Sequence, residues 1–343
     1  MVPRRALPKT LPRSTGSASA ASSRSFAWGR CRTRSRHKIW SSSCARSPRN
    51  SVHKPSPALR ERADAGKARS RARILHRSKQ MTDAAHQDLI RDQFTRQATP
   101  FSTAAPIANE AALKLIIDAA RPGPDDRLLD LACGGGIVVC AFAPYLRHAT
   151  GIDATPAMLE RARSLAAEKG ITNISWQEGE VEHLPYPDSA FTIVVTRFAM
   201  HHFLDPAAVF REMVRVCAPG GRIVVVDTYV SEDPAKAAAF NRLERLRDPS
   251  HARSLALAEL KALYRAAGLG EPRTSFYELR DTVTNLLARS FPNPGDDKKI
   301  IAMFETAITD DSLGIPVQRP AGSKGGDTLE YAYPVAILAA ERR

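Results

Sequence analysis

The stretch from Arg127 to Gly136, RLLDLACGGG, constrains the fold of this chain more than any other of its length. Leu128, Leu129 and Leu131 form the short apolar run that a parallel strand needs when both of its faces are buried. Cys133-Gly134-Gly135-Gly136 breaks the run, and IVVCAFAPYLR then resumes with helix-compatible sequence. The predicted unit is strand, glycine turn, helix. Glycines let the backbone of such a turn approach a ligand closely, and the following helix presents unpaired N–H groups. A second strand, His148 to Asp153 (HATGID), ends in a carboxylate 17 residues after Gly136. A parallel neighbour would place that carboxylate to accept from ribose hydroxyls, so a nucleotide-like ligand is expected across two adjacent strand ends.

Two enzyme classes share this beginning. A dinucleotide fingerprint requires G-x-G-x-x-G, but the register of Gly134 and Gly136 puts Val139 at the third glycine, which disfavours a nicotinamide-dependent oxidoreductase and leaves it as the alternative. The downstream motifs discriminate. LLDLACGGG, GIDATPAMLERAR, GEVEHLPYPDSAF and REMVRVCAPGGRIVVVD, in that order, resemble the class I S-adenosylmethionine-dependent methyltransferases, in their small-molecule, quinone-biosynthesis-like (type 11) branch. The resemblance runs from about Gln93 to the C-terminus.

The resemblance implies an α/β fold: a Rossmann-like, seven-stranded, mostly parallel sheet with helices on both faces and a helical lid. It also implies S-adenosylmethionine as cofactor. By the same resemblance Asp130, Ala132, Cys133, Gly134 and Gly136 belong to the donor turn, Asp153 with Ala154 to the ribose, and Met158, Glu180 and Val181 to adenine. Thr196 and Arg197, also expected to bind the cofactor, leave the fourth strand where the resemblance has the acceptor meet the methyl group. Three positions depart from the family: Ala132 stands for its first glycine, Glu180 for an aspartate, and Thr192 for the aspartate before the fourth strand. Ala132 is small and Glu180 keeps a carboxylate, so donor binding is expected to survive.

The acceptor is less constrained. Thr196 to His202 (TRFAMHH) lacks the acidic or amide residue, two prolines and aromatic of nucleic-acid N-methylating relatives, which points to a small molecule. It also lacks the Gly-x-Arg-Asn of quinone C-methylating relatives, so O-, N- and C-methylation all stay open. Methyl transfer from a sulfonium is an in-line displacement in which alignment does most of the work. His201, and His251 in the expected lid, are the candidate general bases. Adjacent His201 and His202 would project about 100° apart on a helix, a poor clamp, and no metal is expected.

Composition matters chiefly for the first 80 residues, which carry 21 Lys+Arg against Glu61 and Asp64, while the remainder carries 29 against 34. The high pI of about 9.9 therefore belongs to the tail. Rich in Arg and Ser and without apolar periodicity, residues 1–80 are expected to be disordered. A transit peptide, a nucleic-acid-binding arm and a start assigned too early compete to explain them. The last is favoured, because the shift in composition coincides with Met81 and a Thr82-Asp83 helix start. No apolar run reaches the ~18 residues of a membrane span. The five cysteines lack CxxC spacing, which suits a reducing, cytoplasmic setting, or an organelle if the tail is a transit peptide.

The methyltransferase domain is expected over 81–343, with caps at about 231–270 and 281–325. Asp88 to Phe101 resembles the family's N-terminal cover. A helix over Ala104 to Ala120 precedes the first strand, and strands then alternate with helices as in a parallel sheet. Pro334 in the final strand predicts an edge-facing position or a bulge.

Overall fold

The structure, a computed structural model, describes residues 84–100, 104–322 and 328–343. These lie within one unit, Arg62–Arg343. The basic tail over 1–80, Met81 and Phe101 lie outside the described residues.

Helix α1 covers residues 84–100. Helix α2 (Glu110–Ala120) starts later than its apolar pattern suggests, because Asn109 is the residue able to cap it: the Asn109 side chain accepts from the Ala112 N–H at 3.0 Å. There follow β1 (Arg127–Leu131), α3 (Ile137–Phe142), β2 (His148–Asp153), α4 (Pro156–Glu168), β3 (Ile174–Glu178), β4 (Phe191–Arg197), α5 (Pro206–Val216) and β5 (Cys217–Thr228). The chain closes with α6 (Pro234–Arg247), α7 (Leu257–Ala266), β6 (Arg273–Thr282), α8 (Val283–Ala288), α9 (Asp296–Asp310), β7 (Val317–Gln318) and β8 (Glu330–Glu341).

The sheet order is β3-β2-β1-β4-β5-β8-β6, with the short β7 added to β8. Strands β1 to β5 are parallel, and β8 runs antiparallel between β5 and β6. The order reverses between β1 and β4, which places the switch point, and the crevice it creates, at the carboxyl ends of those strands. Alternate residues feed two cores. Leu128, Ile193, Val195, Val224 and Val226 face one, whereas Leu129, Leu131, Val194, Ile223 and Val225 face the other. Their near-continuous apolar sequence follows from burial on both faces.

Strand β8 is interior, so Pro334 does not lie on an edge strand. Its carbonyl accepts from the Tyr229 N–H at 3.2 Å, and in an antiparallel strand a residue's nitrogen and carbonyl face the same neighbour. That neighbour, β5, ends its pairing at Thr228, so the missing N–H of Pro334 interrupts no ladder bond there. The segment expected as a cap over 231–270 divides in two. Helix α7 packs on the sheet itself: the Tyr264 hydroxyl accepts from Val225 N–H at 3.1 Å and donates to the Leu338 carbonyl at 2.8 Å. Helix α6 instead shares a core with α8, α9 and β8 through Phe240, Leu243, Leu286, Phe304 and Tyr333. Among the described residues no helix is long and apolar enough to cross a membrane.

Candidate active site

The carboxyl ends of β1, β2 and β4 open into a cleft of about 930 Å³, open mouth included. Its floor is the glycine turn. Ala132, Gly134 and Gly136 all adopt left-handed φ values, of 51°, 51° and 77°. Asp153, at the end of β2, holds the turn: one carboxylate oxygen accepts from Gly134 N–H at 2.8 Å and the other from Thr155 N–H at 2.9 Å. A carboxylate offers about four lone-pair sites, so acceptor capacity remains for a ligand. Asp130, at the end of β1, lines the same cleft at 2% exposure and has no hydrogen-bond partner among the described residues. Burial and the nearby charge of Asp153 push its pKa well above the usual carboxylate range, with Arg197 opposing.

Most of the residues expected at the donor site do line this cleft: Asp130, Ala132, Cys133, Gly134, Asp153, Ala154, Met158, Glu180, Val181 and Arg197. Two do not. Thr196 is fully buried and donates its hydroxyl to the Leu131 carbonyl at 3.0 Å, bracing β4 against β1. Gly136 is a packing residue. A Cβ there would lie 2.7 Å from the Trp176 ring on β3 and 2.8 Å from Ala162 Cβ on α4, so only glycine lets α3 start this close to both. Burial pushes the Cys133 thiol up as well, which makes it an inert wall rather than a nucleophile.

Helix α1 covers the loop after β3. Arg91 meets Glu180 at 3.0 Å and Gln87 donates to Glu182 at 3.2 Å. From beneath, Arg215 of α5 donates to the Leu184 and Tyr186 carbonyls at 3.0 and 2.8 Å and pairs with Asp188, which fixes the loop's course. Arg197 lies over the Phe198 ring at 4.6 Å, and its Nε and Nη2 are buried without a hydrogen-bond partner among the described residues.

A second chamber of about 610 Å³, its open mouth included, shares four wall residues with the first: Phe94, Ile107, Phe198 and His202. His201 lines this second chamber. Its Nδ1 lies 2.6 Å from Asp227 Oδ1, which also accepts from Thr228 N–H at 2.7 Å. A carboxylate at Nδ1 holds the proton there and leaves Nε2 as the basic atom. Burial alone would lower the His201 pKa, but the charge and hydrogen bond of Asp227 outweigh it and raise it. His202 differs. Its Nδ1 faces the Ser250 carbonyl at 3.1 Å, and burial beside His201 lowers its pKa to about 4, so it is neutral. His251 lines neither cavity; it stands behind His201, its Nε2 2.9 Å from Asn241 Oδ1, and burial drives its pKa down.

Asp227 escaped the sequence reading, although it ends β5 as Asp130 and Asp153 end β1 and β2. A carboxylate closing each apolar strand was the available signal. Arg247, Arg289, Tyr331 and Tyr333, brought into the second chamber from α6, the end of α8 and β8, had none.

The methyltransferase-domain family model matches residues 129–225. The chain is 40% identical over 214 residues to the uncharacterized methyltransferase YcgJ of Bacillus subtilis, spanning 62% of this chain and 85% of that protein. The crystal structure of YcgJ superposes with a TM-score of 0.61 at 32% identity, over 68% of this chain and all of the other. A 27-O-demethylrifamycin SV methyltransferase from Amycolatopsis mediterranei is 32% identical over 160 residues, 44% of this chain and 56% of that one. The oxidoreductase alternative gains no support, and Val139, at the position of the missing glycine, is fully buried core. The unpartnered Asp130 carboxylate and the glycine cradle fit a cationic nucleoside donor, and with these matches the chain belongs to the class I S-adenosylmethionine-dependent methyltransferases, in their type 11 branch.

Proposed function

We propose that this enzyme methylates a hydroxyl of a small molecule, with His201 as the general base. The observation that carries the reading is the His201–Asp227 pair at 2.6 Å, buried in a chamber that adjoins the cleft with the glycine turn. The named substrate of the rifamycin relative is a small molecule, which supports the substrate class.

S-adenosylmethionine supplies an electrophilic methyl group on a sulfonium. Asp153 takes the ribose hydroxyls; Met158, Glu180 and Val181 enclose the adenine; Asp130 and the backbone of Ala132, Cys133 and Gly134 face the cationic end, near Arg197. Helix α1 covers the cleft with Gln87, Ile90 and Phe94. His201 Nε2 receives the hydroxyl proton, Asp227 stabilises the resulting imidazolium, and His251 acts as a positioning residue behind it. Three buried free thiols, Cys133, Cys140 and Cys217, suit a reducing, cytoplasmic setting.

The test begins with a small-molecule extract and donor carrying a labelled methyl group, which identifies an acceptor. Single-turnover transfer is then followed against pH. Because Asp227 raises the His201 pKa, the rate should climb with pH through a value above the ordinary ~6.5 of histidine. His201→Gln should lose ~100-fold or more at unchanged donor affinity. Asp227→Asn should move the rising limb to lower pH. A flat profile, with losses below a few-fold in both variants, would sink the base assignment.

A further inference from the structure

The second chamber is uneven in what it offers a ligand. Its carboxylates are already occupied. Glu244 receives Arg247 through Nε and Nη2, the latter at 2.6 Å, and the Tyr333 hydroxyl at 2.8 Å. Asp248 receives the Ser250 N–H at 2.9 Å, the Ser250 hydroxyl at 2.6 Å and Gln97 at 3.1 Å. Its donors are not all occupied. Among the described residues Arg247 leaves Nη1 without a partner. Arg289 uses Nη1 on Asp281 and Nη2 on the Tyr331 hydroxyl at 3.0 Å, and leaves Nε. That bond makes the Tyr331 oxygen an acceptor, so its own hydrogen is also free to be donated.

The walls between these groups are flat and apolar. Tyr331 and Tyr333 lie with ring centroids 4.5 Å apart, and Phe94 and Phe198 close the side toward the donor cleft. Two guanidiniums that stay charged at any working pH thus line this chamber with a surplus of N–H donors, and His201 stands in the same chamber as a base.

We propose that the acceptor is a planar aromatic hydroxy acid, whose carboxylate is taken by Arg247 and Arg289 while its hydroxyl is presented to His201. This rests on the methyl-transfer reading, and names the substrate class for it. Each guanidinium keeps a nitrogen for that carboxylate, Nη1 of Arg247 and Nε of Arg289, and a charge-assisted N–H bond to a carboxylate is about twice as strong as a neutral one. A neutral alcohol would leave these donors half-used. A cationic amine would need acceptors, and the Glu244 and Asp248 oxygens already receive Arg247, Tyr333, Ser250 and Gln97.

The experiment uses the full chain saturated with S-adenosylhomocysteine, and calorimetry against matched probes: meta- and para-hydroxybenzoate, the corresponding hydroxybenzyl alcohols, and the corresponding hydroxybenzylamines. The acids should bind about ten-fold or more tightly than either counterpart. Arg247→Lys keeps a charge opposite Glu244 but loses the fork. The double variant Asp281→Asn/Arg289→Gln removes both partners of a buried pair, so neither is stranded. Each should erase most of the preference while S-adenosylhomocysteine affinity is kept. Equal affinity for the three classes, preference for the amines, no binding of any probe at millimolar concentration, or a preference that survives both variants overturns the proposal and leaves the methyltransferase assignment standing. If the variants fail to fold, the matched comparison on the native chain decides. Failure of S-adenosylhomocysteine itself to bind would instead strike at the donor site, and the inference would fall with it.

Discussion

Replacing Gly136 and Gly134 separately by alanine should divide the glycine turn into a part that folds the protein and a part that binds the donor. At Gly136 two penalties add. Its φ of 77° costs an alanine ~1–2 kcal/mol, and the new Cβ would sit 2.7 Å from Trp176 and 2.8 Å from Ala162 Cβ. Neither neighbour is a flexible chain end: one is a ring packed on β3 and the other a methyl fixed to α4. Such overpacking typically costs ~1–3 kcal/mol more, for ~2–5 kcal/mol in total. In a domain of this size that corresponds to a fall in Tm on the order of 5–15 °C. At Gly134 the backbone term is similar, with φ of 51°, but the nearest atom to a new Cβ is Met158 Sδ at 3.9 Å, an ordinary contact on the cleft wall. Gly134→Ala should therefore cost only ~1–2 kcal/mol of stability and show its main effect on donor affinity. Differential scanning fluorimetry without ligand, followed by calorimetry with S-adenosylhomocysteine below either Tm, separates the two. Equal loss of stability in both variants, or loss of affinity in folded Gly136→Ala alone, would refute the assignment.

Two further outcomes follow from the same turn. Because burial and the charge of Asp153 hold the Asp130 pKa up in the free protein, a bound cation should draw a proton off it. Donor affinity should then rise with pH above the usual carboxylate range, which calorimetry in buffers of different ionisation enthalpy would detect as proton release; proton uptake would contradict it. Ala132, at φ of 51°, carries strain that a glycine would not, so Ala132→Gly should leave stability unchanged or raise it by up to ~1 kcal/mol in urea denaturation, against the usual destabilising sign of Ala→Gly.

Legibility in the sequence tracked how local each feature is. The Leu128 to Gly136 unit, the Asp153 terminus and the Pro206–Val216 helix declare themselves within a few residues, through apolar runs, glycines and caps, and the structure has them where expected. Gly136 is legible as part of the turn, but only the approach of Trp176 and Ala162 from other elements reveals its packing role. Thr196 does not line the cleft either: its hydroxyl donates across to the Leu131 carbonyl of β1, a contact that no local pattern announces. The second chamber was illegible. Arg247, Arg289 and Tyr331 come from well separated segments, each ordinary in its local sequence, and only the placing of β8 between β5 and β6 joins them.

The central claim is that the cleft at the ends of β1, β2 and β4 holds S-adenosylmethionine through Asp153. The most direct measurement is a calorimetric titration of the chain and of its Asp153→Asn variant with S-adenosylhomocysteine, with NAD as the comparison ligand. The account predicts one molecule of S-adenosylhomocysteine bound per chain, no binding of NAD, and an affinity lowered in the variant by ~1–3 kcal/mol while its thermal unfolding stays cooperative. Binding of NAD, or S-adenosylhomocysteine affinity indifferent to Asp153, would contradict it.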